Sequence, residues 1–188
     1  MQSTTIKIQG LGPLLMHNGQ LANPMNEHAI RLSELIKKAK TAKTEAAWTA
    51  AYRAEFDGGL YLDEKVEPCL TGETLEGMIQ EGAKKTKQGK QAKAAIIIDG
   101  NFPLFYKGPR DADSLWEAKF FKTVGVKIGP NRVMRTRAMF TGWSCAFQVH
   151  FNESIVNKKD IANFVKAAGA EVGLCDWRPR YGRFEVIS

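Results

Sequence analysis

The chain has 188 residues, of which 44% are hydrophobic and 25% are charged. This length and composition suit one well-packed domain and are short for two. The longest apolar runs fall well short of a membrane span, and the first ten residues are typical of a strand rather than of a secretion signal. We therefore expect a single domain over residues 1–188, located in the cytoplasm and without a membrane partner.

The cysteines and histidines indicate neither a disulfide framework nor a metal site. Cys69, Cys145 and Cys175 are few and scattered, and no CxxC pair stands near a histidine cluster. The three histidines also lack metal-ligand spacing. The sequence contains no P-loop, dinucleotide-binding turn, nucleophile elbow or HExxH motif. We therefore predict no metal and no cofactor.

The net charge of +7 is unevenly distributed along the chain. Three segments, residues 82–98, 118–152 and 177–184, hold 14 of the 27 lysines and arginines and no acidic residue. The rest of the chain has 13 basic and 20 acidic residues and is therefore acidic. Segregated positive charge is typical of a surface that binds a polyanion. The alternative is that these segments are merely solvated faces.

The first half of the chain predicts a strand and three helices. The stretch "TTIKIQGLGPLL", residues 4–15, alternates apolar and polar side chains and predicts a strand that ends at Gly10 to Pro13. Residues 28–57 have helical spacing with a break at 41–44, which predicts a helical hairpin that we interpret as an insertion. A further helix should begin at Thr71 or Thr74, either of which can cap it, and end near residue 87.

Two glycines lie inside that last helix, and each weakens its intrinsic propensity by about 1 kcal/mol relative to alanine. These residues are Gly77 and Gly82. Our hypothesis is that both are sites where another backbone approaches the helix closely.

The second half predicts mainly strands. The run "AAIIID", residues 94–99, has the composition of a short buried strand. Residues 119–139 combine glycine breaks with alternating basic residues and predict a basic β-hairpin. Residues 143–151 alternate cleanly, with every second residue apolar, and predict a strand with one buried face.

The last predicted elements are a helix and a strand, which complete the order of elements of a common fold. Asn157 and Asp160 have capping-box spacing at the start of a helix over 158–174, and the last five residues predict a strand. Without the insertion, the order is that of an α+β, ferredoxin-like βαββαβ core. Nucleic-acid-binding modules often use this fold, but so do proteins of many other functions.

Three stretches resemble the RAMP superfamily, whose members are subunits of CRISPR effector complexes. "EPCLTGETLEGMIQEGAKK" is similar to the segment that opens the first helix there, and "VGLCDWRPRYGRFEV" is similar to the glycine-rich C-terminal motif. "IKIQGLGPLLMHNG" resembles the first strand and its loop. The matching residues are Leu70, Gly72, Leu75, Gly77, Gly173, Arg178, Gly182 and Arg183. The chain also resembles small proteins encoded by phages and prophages.

The resemblance implies an RRM-like or RAMP-like fold and a backbone-type subunit. Such a subunit assembles side by side as a homo-oligomer and holds single-stranded RNA, or DNA, along a basic face. The sequence departs from the pattern at Glu76, where many relatives have a basic residue. The resemblance also implies that the protein acts in the cytoplasm of a bacterial or phage-infected cell.

The C-terminal loop supplies the first candidate contacts. Arg178, Arg180 and Arg183 can make forked contacts to phosphate, and Trp177 or Tyr181 can stack on an unpaired base. The alternative is a hairpin turn whose aromatic residues cover the edge of the core. Further candidate contacts lie in the basic hairpin and elsewhere: Lys122, Lys127, Arg132, Arg135, Arg137, Lys84, Lys85 and Asn18.

We predict a non-enzymatic nucleic-acid-binding protein, with two alternatives. Some RAMP proteins cleave RNA, and His17 follows the first strand with a side chain suited to proton transfer near neutral pH. The first alternative is therefore a metal-independent endoribonuclease that uses His17. The second is a phage protein-interaction module that mimics a CRISPR subunit.

Overall fold

A computed structural model of the chain describes residues 1–187, except for the side chain of Ile128. Ser188, the last residue of the predicted domain, lies outside the described residues. The described chain is an α+β protein. Its elements are β1 (Gln2–Gly10), β2 (Leu14–Met16), α1 (Glu27–Ala42), α2 (Glu45–Gly59), β3 (Cys69–Thr71), α3 (Gly72–Lys85), α4 (Gly89–Ala95), β4 (Ile96–Ile97), β5 (Asn101–Pro103), α5 (Ala112–Glu117), β6 (Phe121–Ile128), β7 (Asn131–Phe140), β8 (Ser144–Phe151), α6 (Lys158–Ala167) and β9 (Phe184–Val186).

The elements group into two compact units. The first, which we call the sheet unit, contains residues 1–15 and 62–108 and the described chain from Phe140 onward. The second, which we call the hairpin unit, contains residues 16–61 and 109–139. No helix among residues 1–187 is long and apolar enough to cross a membrane.

The sheet unit is built on an antiparallel sheet with the strand order β4-β8-β1-β9. Ile6 pairs with Phe147 and Ile8 with Cys145 across β1 and β8. All four side chains are buried, and so are the other alternate residues of β8. The alternation predicted for residues 143–151 is therefore confirmed, since one face of this strand lies in the core.

Local capping explains where the two main helices of this unit begin. The Thr71 hydroxyl accepts a hydrogen bond from the Thr74 backbone N–H at 3.2 Å, so Thr71 caps α3. At α6, Asn157 and Asp160 each accept a hydrogen bond from the other's backbone N–H at 3.0 Å. This capping box confirms the start predicted for that helix.

The two glycines of α3 have different surroundings. A Cβ atom added at Gly82 would collide with the Phe164 carbonyl oxygen and lie 2.9 Å from the Ala168 side chain, whereas one added at Gly77 meets nothing within 4 Å. The hypothesis of close backbone approach is therefore confirmed for Gly82 and wrong for Gly77.

The strand predicted from "AAIIID" is shorter than expected. Its two alanines belong to the end of α4, and only Ile96 and Ile97 form β4. Alanine has the highest helix propensity, so the helix extends to the first β-branched residue. Ile97 is 44% exposed, so the run is buried only in part.

Two helices and a β-hairpin form most of the hairpin unit. Lys43 ends α1 in the left-handed conformation, and the Thr44 hydroxyl accepts a hydrogen bond from the Ala47 N–H to cap α2. Strands β6 and β7 pair from Phe121 with Ala138 to Ile128 with Asn131.

Aromatic stacking holds α5 to the other elements of this unit. The rings of Trp116 and Phe121 stack 4.2 Å apart, and Phe56 of α2 tilts against Trp116 at 5.4 Å. The Arg53 guanidinium lies 5.6 Å from the Trp116 ring and pairs with Asp57 and Asp113. These contacts fix α2 beside the base of the β6-β7 hairpin.

Candidate nucleic-acid interface

The C-terminal loop, which we define as residues 173–183, follows the π-helical turn Ala168–Val172 at the end of α6 and leads to β9. Its two ends are joined because the Leu174 N–H donates to the Gly182 carbonyl at 2.9 Å. Two further bonds fix the loop to the segment after β1: the Gly182 N–H donates to the Pro13 carbonyl at 2.8 Å and the Asp176 N–H to the Leu15 carbonyl at 2.9 Å. The loop therefore has a rigid base.

Both glycines at this base are required by the geometry. Gly173 has φ of 81° and Gly182 has φ of 74°, a left-handed region that favours glycine. A Cβ at Gly173 would lie 2.7 Å from the Tyr181 carbonyl oxygen, and one at Gly182 would collide with the Leu174 carbonyl oxygen. The two glycines matched to the RAMP motif thus allow the loop to close.

The tip of the loop carries a stacked aromatic pair. The rings of Trp177 and Tyr181 lie 5.9 Å apart at an angle of 20°. Trp177 is 38% exposed, whereas Tyr181 is 9% exposed. The Arg180 guanidinium lies 5.9 Å from the centre of the Tyr181 ring. Trp177 therefore offers the accessible ring, and Tyr181 supports it from the core side.

The same loop carries three exposed arginines. Within residues 1–187, Arg178, Arg180 and Arg183 take part in no ion pair. The Arg183 Nε atom donates to the Pro179 carbonyl at 3.0 Å, and the Arg178–Pro179 peptide bond is cis. Guanidinium groups that are not neutralised by a carboxylate can bind phosphate.

The lysines at the end of α3 form a second basic patch in the sheet unit. Lys84 pairs with Glu81, and the Lys85 Nζ atom lies 3.4 Å from Glu171 Oε2. A shallow groove of about 560 Å³ beside them is lined mainly by lysines. Both predicted contacts here are exposed but already paired, which reduces their net attraction for an anion.

Glu76, the departure from the RAMP pattern, has a structural contact. Its Oε2 atom accepts a hydrogen bond from the Ile98 backbone N–H at 3.3 Å, and its Oε1 atom accepts one from the Gln80 side chain at 3.1 Å. The carboxylate therefore links α3 to the residue that follows β4.

In the hairpin unit, a buried carboxylate organises two of the predicted cations. Glu55 accepts from the Thr136 backbone N–H at 2.8 Å and from Arg137 Nη1 at 3.0 Å, and Arg135 Nη1 lies 3.6 Å away. Arg137 and Arg135 therefore stabilise the unit internally. Sequence reasoning missed Glu55, although it follows Ala51 and Tyr52 at helical spacing on the apolar stripe of α2.

Other cations of the β6-β7 hairpin face one another. Lys127 pairs with Arg132 in the strand register, and both are exposed. Lys122 also stands opposite Arg137, but the charge of Arg137 is already compensated by Glu55. Like charges directly opposite each other destabilise a strand pair, and a bound anion would relieve this repulsion.

The residues after β2 have structural contacts of their own. The Asn18 side chain accepts from the Gln20 N–H at 3.0 Å and donates to the Leu60 carbonyl at 3.1 Å, so both ends of its amide are engaged. His17 is half-buried, and its carbonyl accepts from the Tyr61 hydroxyl at 3.2 Å.

The thiols are protonated at neutral pH. Burial raises the pKa of Cys69 to about 11 and the pKa values of Cys145 and Cys175 to about 12. Thiolates, not thiols, are nucleophiles and metal ligands. Among residues 1–187, no group of three or more His, Cys, Asp or Glu side chains is placed to hold a metal ion.

The comparisons with known proteins find similarity in structure and not in sequence. No protein-family model matches the sequence, and no curated protein matches it either. The fold is similar to that of a chain in the cryo-EM structure of the type III-B Cmr-beta bound to cognate target RNA. The TM-score is 0.54 at 13% sequence identity, and the match covers 99% of this chain and 58% of the other.

This similarity concerns the fold. The chain is an α+β protein whose architecture resembles that of a Cmr-beta chain, and it spans only a little over half of that chain's length.

Proposed function

We propose that the protein binds single-stranded RNA and does so without cleaving it. The observation that carries this proposal is the C-terminal loop, which combines the accessible Trp177 ring with three exposed arginines that pair with no carboxylate of residues 1–187. An exposed ring among cations is the arrangement that binds an unpaired base together with its phosphates.

We further infer that the sheet unit has a ferredoxin-like core of the RAMP type. Two features support this inference. The antiparallel order β4-β8-β1-β9 equals the 2-3-1-4 order of a βαββαβ core when α3 and α6 are taken as its two helices. The similarity to a Cmr-beta chain and the glycines at the base of the loop point to the same superfamily.

RNA is favoured over DNA because the similar chain comes from a structure of Cmr-beta bound to cognate target RNA. We also propose that several copies of the protein assemble side by side along the strand, as the family resemblance implies. Each stacked base would contribute about 1–3 kcal/mol. Three phosphate contacts on a single strand would contribute about −2 to the slope of log K against log salt concentration.

The experiment is a binding titration with an unstructured RNA oligonucleotide and the DNA of the same sequence at several salt concentrations. The test variant is R178A/R180A/R183A. The matched control, K158A/K159A/K166A, removes three exposed charges of α6 from the same unit. We expect the arginine variant to bind more weakly with a flatter salt dependence, and the control to retain most of the wild-type slope.

Equal losses in both variants would show that binding depends on net charge and not on the loop. Binding to DNA at least as tight as to RNA would contradict the choice of RNA. If the wild-type protein binds neither strand, the protein-interaction alternative replaces this proposal.

Catalysis and assembly are tested on the same samples. RNA recovered after incubation should be intact by gel electrophoresis, whereas cleavage that is lost in His17→Ala would support the endoribonuclease alternative. Light scattering with and without RNA measures the size of the assembly. We expect a particle whose mass increases with the length of the strand, and a constant monomer mass would contradict side-by-side assembly.

A further inference from the structure

The hairpin unit contains a groove that lies outside the C-terminal loop on which the proposed function rests. It has a volume of about 620 Å³ and lies between α1, α2 and β7. We call it the aromatic groove. Its apolar walls include Leu32, Ile36, Trp48, Tyr52, Val133 and Met134. Grooves of about 300–1,000 Å³ with mostly apolar walls are typical of small-ligand sites.

The wall formed by α2 presents a stacked aromatic pair. Trp48 and Tyr52 are four residues apart, and their rings lie 6.0 Å apart at 29°. Both side chains are half-buried, and Met134 across the groove is 45% exposed although it lies within a strand. Such an incompletely covered aromatic surface can accept a flat apolar ligand.

The charged residues of the aromatic groove favour an anion. Lys40, Arg132 and Arg135 line it, and Glu55 is the one acidic residue among its described lining residues. The Glu55 carboxylate is already held by the Thr136 N–H and by Arg137. Lys40 and Arg132 are exposed and form no ion pair within the described chain. The groove therefore combines a flat apolar wall with a cationic rim.

We infer that the aromatic groove binds one nucleoside 5′-phosphate group, with the base against Trp48 and Tyr52 and the phosphate near Lys40 and Arg132. This group can belong either to an unpaired nucleotide of a bound strand or to a free nucleotide. If the nucleotide belongs to a bound strand, the inference rests on the proposed function. An acidic peptide would satisfy the cations but would not use the face of the aromatic pair, so a nucleotide fits the observed surface better.

The test uses the full chain labelled with 5-fluorotryptophan. The protein has four tryptophans, so its fluorine NMR spectrum should contain four resonances, and the variants Trp48→Leu and Trp177→Leu each assign one of them. Nucleoside 5′-monophosphates, an unstructured RNA oligonucleotide and an acidic helical peptide are titrated separately. We expect monophosphates to shift the Trp48 resonance and leave the Trp177 resonance in place, and RNA to shift both.

Binding constants for monophosphates then test the rim and the wall. Lys40→Gln and Tyr52→Leu should each weaken binding at least about fivefold, the change that loss of about 1 kcal/mol produces. Lys38→Gln, an exposed control on the same helix outside the groove, should leave it unchanged. Each variant is used only if its melting temperature is close to that of the wild type. If Tyr52→Leu does not fold, the Lys40→Gln result alone tests the inference.

The outcomes separate this inference from the proposed function. RNA binding that shifts Trp177 but never Trp48, together with no effect of monophosphates, would overturn the inference and leave the proposed function intact. Monophosphate binding at Trp48 without RNA binding would support a free-nucleotide site and contradict the proposed function. A Trp48 shift produced by the acidic peptide alone would overturn the inference.

Discussion

The Nη1 atom of Arg137 lies 3.0 Å from Oε1 of Glu55, a carboxylate that is only 4% exposed. The same carboxylate accepts the Thr136 N–H through its other oxygen. One side chain of α2 therefore holds both the backbone and a cation of β7. A basic residue that sequence analysis assigned to nucleic acid thus has a structural partner in the protein.

We predict that Glu55→Gln strongly destabilises the protein. Removal of one partner from a buried ion pair costs about 3–5 kcal/mol because the other charge stays buried without compensation. The amide can still accept the Thr136 N–H, so the loss should lie toward the lower end of this range. Urea denaturation followed by circular dichroism measures it.

The control for this prediction is Glu34→Gln, which changes an exposed glutamate of α1 in the same unit. Its effect should stay within about 0.5 kcal/mol, as is usual for surface substitutions. Equal stabilities of the two variants would show that the Glu55 contacts contribute no more than a surface charge.

The two glycines of α3 provide a second test, in which the same substitution has opposite effects. Gly77→Ala meets open space, so it should stabilise the protein by up to about 1 kcal/mol through helix propensity. Gly82→Ala would force a methyl group against the Phe164 carbonyl and separate α3 from α6, which should lower the melting temperature. A rise in melting temperature for both variants would contradict the close approach at Gly82.

Rules that act between neighbouring residues were sufficient to predict much of the secondary structure of the sheet unit. Capping residues such as Thr71 and Asn157 act on backbone groups within three residues, so their effect can be predicted without knowledge of the fold. The alternation of β8 is equally local, because a strand that covers a core needs an apolar residue at every second position.

The remaining features depend on contacts between distant parts of the chain. The partnership of Glu55 with Arg137 spans 82 residues, and no spacing rule reveals it. Similarly, Gly77 and Gly82 look alike in the sequence, and only the position of α6 distinguishes them. The predicted contact residues also divide between two compact units, because long-range contacts decide which segments fold together.

Substitutions of the two aromatic residues of the C-terminal loop test RNA binding and thermal stability separately. Trp177→Leu should weaken RNA binding by about 1–3 kcal/mol, the value of one stacked base, and should change the melting temperature little because the ring is accessible. Tyr181→Leu should lower the melting temperature, since this ring is buried under Trp177. Titration with labelled RNA and thermal melts of both variants measure the two effects. If Trp177→Leu binds RNA as tightly as the wild type, the loop covers the core edge and does not stack on a base.

The buried thiol of Cys145 predicts a particular dependence of stability on pH. Burial raises the pKa of this thiol from 9.0 to about 12, because the thiolate would lose its hydration in the core. Above about pH 9 the unfolded chain releases the proton while the folded protein keeps it. Below about pH 9, the contribution of this thiol to the free energy of unfolding is therefore at its full value. Above that pH it decreases by about 1.4 kcal/mol per pH unit until the folded thiol ionises.

Comparison with Cys145→Ala isolates this effect, since alanine cannot ionise and other groups titrate equally in both proteins. The free energy of unfolding is measured by urea denaturation at about pH 8 and about pH 10 for each protein. The cavity left by the substitution makes the variant less stable at both values, but the difference from the wild type should shrink by about 1 kcal/mol or more at the higher pH. A difference that stays constant would mean that the thiol ionises in the folded protein near its ordinary pKa, which would contradict its burial beside β1 in the core of the sheet unit.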